Sequence, residues 1–175
     1  DRRVTGRGGA SRGAVFVPAR QISRVRPSPK HSPARLERQT RAFFTARGYR
    51  EVETPALVPT PGAEVHLRAF ATRYEAHLGQ GVSRDLWLRT SPELALKRLL
   101  VAGAGPVFEL ARVWRNGEAS PRHASEFTML EWYRPGLGFA GLMTETEEFI
   151  RAVAPPIVAH GDATTDLSLP FERIT

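Results

Sequence analysis

Apolar and polar positions recur along this chain with two periods, and the switches between them divide it into elements. Residues 1–31 follow neither period and carry many breakers, among them Gly6, Gly8, Gly9, Gly13, Pro18, Pro27 and Pro29. They read as a flexible arm. At Ser32-Pro33 the pattern changes. Ser as N-cap and Pro at the first helical position open a helix, with Leu36, Thr40, Phe43 and Phe44 at helical spacing and Gly48 as terminator. Residues 49–57 read as a strand ended by Pro55 and Pro59, residues 65–74 as a further strand or hairpin arm, and residues 86–90 as a short strand. Ser91-Pro92 opens a second helix that runs to Gly103. Residues 107–115 and 126–134 are strong strand signals. The polar loop between them, 116–125, predicts an antiparallel pair with a long hairpin loop. Residues 144–153 read as a third helix and 155–166 as a loop. This order predicts an α+β fold, because it lacks the βαβ alternation of a parallel sheet. No internal repeat, GxGxxG or GxxxxGK[ST] is present, so neither a dinucleotide fold nor a P-loop is supported.

Composition narrows the function classes. Of the 175 residues, 41% are hydrophobic and 25% charged, enough for a buried core in one domain. No stretch approaches the roughly 18 consecutive apolar residues of a membrane helix. The absence of cysteine excludes a disulfide scaffold, a thiolate zinc site and a cysteine nucleophile. No secretory pattern opens the chain, so a cytoplasmic setting is expected; Asp1 in place of Met makes upstream sequence expected too. The net charge of +7 is uneven. Residues 1–35 hold nine Lys/Arg against Asp1, a net +8, which leaves the other 140 residues at −1. Such a tail either adds salt-sensitive affinity for a polyanion or is simply an unstructured arm.

The two central strands carry the chemistry. With period two, Glu109, Ala111, Val113 and Arg115 share one face, and Phe108, Leu110, Arg112 and Trp114 the other. On the second strand Phe127, Met129, Glu131 and Tyr133 share a face opposite Glu126, Thr128, Leu130 and Trp132. Each face mixes aromatics with ions. Either the ions face a polar ligand, or they form cross-strand pairs on a solvated sheet; alternation leaves both open. The loop adds Arg115, Arg122 and His123, donors suited to phosphate oxygens, and Phe127 offers a flat face for a purine. Glu131 and Tyr133 lie further along the same face, where an ammonium group fits. The pattern suggests a nucleotide and a cationic small molecule laid end to end.

These residues also carry a resemblance. Gly48-Tyr49-Arg50-Glu51-Val52-Glu53-Thr54-Pro55-Ala56-Leu57 resembles motif 1 of the class II aminoacyl-tRNA synthetases. Trp114-Arg115-Asn116 through Phe127-Thr128-Met129-Leu130-Glu131-Trp132-Tyr133 resembles motif 2 of the lysine-specific branch, and Thr90-Ser91-Pro92-Glu93-Leu94-Ala95-Leu96-Lys97 the helix start between them. Pro61-Gly62-Ala63-Glu64-Val65-His66-Leu67 and Glu131-Trp132-Tyr133-Arg134-Pro135 are similar to the lysyl-tRNA synthetase paralogues that attach a lysine-type residue to elongation factor P. The 31 residues before Ser32 carry no alternating runs for an anticodon-binding barrel, which agrees with the paralogue reading.

The resemblance implies a cytoplasmic ligase domain with an antiparallel sheet flanked by helices, beginning near residue 32. It implies ATP and Mg2+ as cofactors, lysine or an isomer as substrate, elongation factor P as acceptor rather than tRNA, no membrane contact, and a homodimer. By the same resemblance Arg115 holds the α-phosphate and is the catalytic residue. Asn116, Glu118 and His123 complete the ATP contacts, His123 at the γ-phosphate, and Phe127 stacks on adenine. Ser91, Glu93, Glu131 and Tyr133 line the lysine pocket. Motif 3, with a second ATP-binding Arg and the metal ligands, is expected beyond Thr175, so the 175 residues alone are expected to be inactive.

The sequence departs from the family at two places. Gly117 stands where Glu is common, so the adenine contact passes to Glu118 or is lost, and Ala124-Ser125 stand where Asn-Pro is common. Alternative readings are a lysyl-tRNA synthetase fragment and a non-catalytic interaction module. Residue by residue, Glu93 also suits a helix dipole, His66 and His77 read as solvent-facing, Trp87, Trp114 and Trp132 as core, and Glu145, Glu147 and Glu148 as a solvated helix face. Phe43, Phe44 and Tyr49 read as apolar surface for the dimer.

Overall fold

Ser32 fixes where the first helix starts, because its Oγ accepts the Arg35 N–H and so caps the helix α1, Pro33–Ala46, with Pro at its first position. The structure, a computed structural model, describes residues 32–174 other than Ala63, Leu78, Ala119 and Arg122. The arm expected over residues 1–31 lies outside them. Gly48, at φ +78°, ends α1 as expected: its left-handed backbone lets the Tyr49 N–H return to the Phe44 carbonyl at 3.1 Å.

The chain then feeds two sheets rather than one. In place of a strand over 49–57 there are two short pieces, β1 (Arg50–Glu51) and β2 (Leu57–Val58), in different sheets. Pro55 lies between them, and the chain crosses from one sheet to the other there. Next come β3 (Phe70–Glu75), β4 (Ser83–Leu88), the helix α2 (Glu93–Val101), β5 (Val107–Trp114) and β6 (Glu126–Tyr133). One sheet has the order β1-β5-β6 and the other β2-β4-β3. β5 and β6 pair antiparallel as expected, in register from Val107–Tyr133 to Trp114–Glu126. β1 runs parallel to β5, so the first sheet is mixed rather than wholly antiparallel. The expected strands at 65–74 and 86–90 shift to 70–75 and 83–88, because residues 64–67 turn back on themselves and Arg89 leaves the ladder.

Two further expectations are corrected. The third helix, α3, spans Phe139–Val153 and so starts five residues before Thr144. Gly138 and Gly141 weaken its local propensity, but packing against α1 outweighs that. The expected loop at 155–166 is a hairpin of β7 (Ile157–His160) and β8 (Ala163–Asp166). Its two-residue turn places Gly161 at φ +60°, the left-handed first position that suits a hairpin.

The core lies on one face of the β5–β6 ladder. Phe43, Phe44, Tyr49 and Phe108 are buried together, with Leu130, Trp132 and Phe149 packed against them. The Phe44 ring stacks on Phe108 at 5.0 Å and meets Tyr49 edge-on at 5.1 Å. This overturns the expectation that Phe43, Phe44 and Tyr49 form a dimer surface: they are 6%, 0% and 4% exposed. Glu145 is not on a solvated face either. It is buried, accepting the Tyr49 hydroxyl at 2.5 Å and pairing with Arg134 at 3.3 Å, because Tyr49 brings a donor to α3 from the far end of α1. Glu147 and Glu148, by contrast, make half-exposed pairs with Arg173 and Arg47.

The two kinds of contact predict different costs. Phe44→Ala deletes the one ring that touches every other aromatic of the core, and we expect a loss of about 3–5 kcal/mol. Tyr49→Phe keeps the ring and strips Glu145 of a donor, a loss of about 1–3 kcal/mol. Denaturant midpoints at unchanged slope measure both; a Phe44→Ala shift as small as a surface substitution would contradict the core assignment.

Candidate functional site

The face of β5–β6 turned away from the aromatic core carries Val107, Glu109, Ala111 and Val113 beside Tyr133, Glu131, Met129 and Phe127. Glu109 and Glu131 are directly opposed. Like charges so placed repel, and the structure treats the two differently. Glu109 is buried and pairs with Arg89 at 2.8 Å, while its oxygens accept the Thr54 N–H at 3.2 Å and hydroxyl at 2.7 Å. Glu131 is half-buried and accepts only neutral donors: Ser91 Oγ–H at 2.8 Å and the Tyr133 hydroxyl at 2.7 Å. Among the described residues Glu131 has no ion-pair partner. It is therefore a positioned carboxylate without a direct ion pair, with the Lys97 ammonium near enough to feel its charge.

Ser91 reaches Glu131 because it directly precedes α2. Its Oγ also accepts the Glu93 N–H at 3.0 Å, which holds the start of the helix against β6. Glu93 sits in the first turn of α2, where the dipole favours a carboxylate, and forms an ion pair with Lys97 one turn on. Lys97 is held above the usual lysine range by its hydrogen bond to Glu93, with a smaller contribution from Glu131. A cavity of about 380 Å³ opens between the 55–62 loop and the start of α2, lined by Pro59, Pro61, Ser91, Glu93 and Arg98 among others. Of the four residues expected at the amino-acid end, Ser91, Glu131 and Tyr133 form one hydrogen-bonded cluster. Glu93 joins it through its backbone, with its carboxylate turned to Lys97.

The other end of the strands holds the expected nucleotide contacts. Arg115 continues β5, with its N–H on the Ser125 carbonyl at 2.9 Å, and its guanidinium carbon lies 5.3 Å from the centre of the Phe127 ring. Glu118 is 3.8 Å from Arg115 Nη1. Arg115 Nε is buried without an acceptor, an orphaned donor beside an aromatic face. Asn116 is placed by its backbone, its N–H donating to the Arg68 carbonyl at 2.7 Å. His123 is the one expected residue not drawn in: it stands exposed at the loop tip with Nδ1 2.7 Å from Ser120 Oγ, and no hydrogen bond joins it to Arg115. Arg122 lies outside the described residues. Phe127 and Glu131 are four residues apart on one strand face, about 13 Å. An orphaned guanidinium N–H and a ring face suit a phosphate and a purine. For a metal the fit fails, since no group of three or more His, Asp or Glu among the described residues is placed to hold one.

Sequence reasoning passed over Thr54, Arg89 and Glu109, which support this face, and Arg98, which lines the cavity. Glu109 had a signal in its shared parity with Glu131. Arg89 had none, because its partners come from two segments far from it in sequence, 54–56 and 109–114. The pairing expected as the alternative to a ligand occurs on the opposite face, where exposed Arg112 and Glu126 stand 3.8 Å apart. His66 and His77 are exposed, and Trp132 lies in the core as expected.

Burial raises the Tyr133 phenol well above its ordinary range, and the hydrogen bond and charge of Glu131 add to the effect; burial and then Glu145 do the same for Tyr49. The folded state thus favours both neutral phenols. Their contribution to stability is complete below the ordinary phenol value of about 10 and is lost as pH rises beyond it. In an alkaline titration followed by phenolate absorbance we expect both to ionise only with unfolding, and Tyr133→Phe to remove one phenol from that late step. Ionisation of Tyr133 near pH 10 in the folded protein (about the free-phenol value) would contradict the cluster.

Comparison of the sequence with known proteins identifies relatives of the chain. The family model for class II tRNA synthetases (D, K and N) matches residues 32–175. An elongation factor P–(R)-β-lysine ligase of Mannheimia succiniciproducens is 48% identical over 120 residues, covering 69% of this chain and 37% of the relative. The protein of that name from Haemophilus influenzae is 46% identical over 125 residues, 70% of this chain and 38% of its own length. That from Pseudoalteromonas translucida is 47% identical over 116 residues, 66% of this chain and 36% of its length. The chain thus spans little more than a third of the curated relatives it matches. No helix among the described residues is long and apolar enough to cross a membrane.

Proposed function

The chain belongs to the class II tRNA synthetases (D, K and N), and from that membership we propose that it contributes the nucleotide and amino-acid contacts of a ligase that joins a lysine-type amino acid to elongation factor P. The observation that carries this reading is Glu131, without a direct ion pair and held by Ser91 and Tyr133 on the strand face whose other end bears Arg115 and Phe127. A side-chain ammonium suits the first end and a nucleotide the second. The names of the relatives, elongation factor P–(R)-β-lysine ligases, support both the acceptor and the amino acid.

In the proposed reaction the amino-acid carboxylate attacks the α-phosphorus of ATP. A new oxygen–phosphorus bond forms, the bond between the α-phosphorus and its bridging oxygen breaks, and pyrophosphate leaves with that oxygen. A neutral amine of the acceptor lysine then attacks the acyl carbon, and AMP and a proton depart as the amide forms. Glu131, oriented by Ser91 and Tyr133, binds the substrate's ammonium. The cation and the orphaned N–H of Arg115 meet the charge that grows on the α-phosphate. Phe127 gives adenine a face on which to stack, and in-line placement supplies much of the remaining rate. ATP would supply the leaving group; no step is assigned to magnesium. A cytoplasmic homodimer is part of this proposal, with an interface other than the buried Phe43–Phe44–Tyr49 cluster.

The test is a parallel assay of the protein that carries this chain. Labelled lysine and (R)-β-lysine are offered with ATP, with elongation factor P and tRNA as acceptors in separate tubes. We expect label on the protein acceptor, and preferential charging of tRNA would sink the reading. Arg115→Ala should lower adenylate formation by about 10²–10³-fold, as loss of a donor to developing charge does elsewhere. Glu131→Gln keeps the shape and removes the charge, so the KM for the amino acid should rise while that for ATP stays put. Equal rises in both would remove Glu131 from the amino-acid end.

A further inference from the structure

The substrate-facing side of β5–β6 holds two carboxylates in direct opposition, and only one has a cation. Glu109 is buried and paired with Arg89, whose remaining donors are used as well: Nε on the Arg112 carbonyl at 2.9 Å and Nη1 on the Thr54 carbonyl at 2.8 Å and hydroxyl at 2.6 Å. Arg89 is thus fully engaged and is not free to turn toward Glu131. Opposed residues on a strand pair have Cβ atoms only about 4.5–5.5 Å apart, so the charge state of Glu109 acts on Glu131 at close range. The other charged or titratable groups near Glu131 are Tyr133 on its own strand and Glu93 and Lys97 on α2, which are paired with each other.

We propose that the Arg89–Glu109 pair acts as a charge filter, which keeps the neighbouring position neutral so that Glu131 alone presents negative charge to the amino acid and sets the preference for a cationic side chain. Arg89 and Glu109 are positioning residues. They touch no substrate and work through Glu131. This rests on the reading of Glu131 as the amino-acid end of the site and adds the source of its selectivity. The pair is a costly way to tie strands together, because burying two charges rarely stabilises more than apolar packing of equal volume. A function in setting the local field accounts for its place opposite Glu131.

The two partners therefore predict effects of opposite sign. Glu109→Gln retains the shape and hydrogen-bonding capacity toward Thr54 but leaves the Arg89 cation unbalanced beside Glu131. Arg89→Gln leaves two unbalanced carboxylates, which cannot both hold full charge at close range and so share a proton at lower pH. The experiment measures amino-acid-dependent pyrophosphate exchange by the whole protein, with lysine and with norleucine, which has the chain of lysine without its ammonium. For Glu109→Gln we expect discrimination between the two to fall about ten-fold, with the KM for ATP unchanged. For Arg89→Gln we expect the KM for lysine to fall as pH rises between about 5 and 8, with norleucine flat across that range and the wild type flat for both.

A merely structural pair predicts neither the split between lysine and norleucine nor the new inflection. If Glu109→Gln does not fold, the pH profile of Arg89→Gln decides alone. A wild type indifferent to the ammonium would overturn both the amino-acid reading and the filter. A wild type that discriminates, with variants that discriminate equally and show no inflection, would overturn the filter only.

Discussion

Arg89 is the point through which the two sheets and the site are joined. Its N–H takes the Ala56 carbonyl, its own carbonyl accepts Trp114 N–H, and its guanidinium spans Thr54, Glu109 and Arg112. Backbone and side chain together therefore tie the crossing between β1 and β2, and the strand β5, to the end of β4. The charges are tolerable because each is hydrogen-bonded as well as paired, which is the condition for an ion pair to survive out of water. Removing one partner alone would strand the other, a penalty of about 3–5 kcal/mol.

That junction explains why the β5–β6 ladder can be so different on its two faces. One face is an aromatic core, with Phe108 and Trp132 packed under Phe44 and Phe149, and hydrophobic burial there supplies the stability. The other face is buried in part as well, since Val107, Ala111 and Val113 are fully covered. It holds Glu109, Glu131, Tyr133, Arg115 and Phe127, which add little packing and would be poor choices for a core. Both faces of the strand pair thus bury apolar residues, and the polar and charged groups of the proposed site gather on one of them. The Arg89–Glu109 pair keeps the functional side from repelling itself.

What the sequence made legible was what local chemistry decides. The Ser32-Pro33 start and Gly48 stop of α1 are capping signals within a single turn, and β5 and β6 are eight-residue runs whose parity assigned the faces correctly. The nearness of Tyr133 to Glu131 was legible in their shared parity, whereas Ser91 was grouped with them only by the resemblance. What failed depended on partners distant along the chain. Tyr49 reaches Glu145 across 96 positions, so a helix face that reads as solvated is buried, and three aromatics that read as a surface are core. The 157–166 hairpin was a different kind of miss: Gly161-Asp162 is a local turn signal, outweighed in the reading by Pro155, Pro156 and the polar run after it. Arg89 was invisible for the deeper reason that no periodicity marks a residue whose partners lie in two distant segments.

The two ends of the site differ in what they lack, and that difference is the strongest structural statement about its ligand. At the Arg115 end a guanidinium N–H is buried with no acceptor, a surplus of donor beside a flat ring. At the Glu131 end a carboxylate is held by two hydroxyls with no cation, a surplus of negative charge. Each imbalance is unfavourable in isolation, since a buried polar group left unpaired costs free energy that folding must supply. In the proposed reading both are relieved together by a ligand, or two ligands laid end to end, with anionic oxygens at one end and a cation at the other. A site that only stabilised the fold would have no reason to keep opposite deficits at a fixed separation on one rigid strand pair.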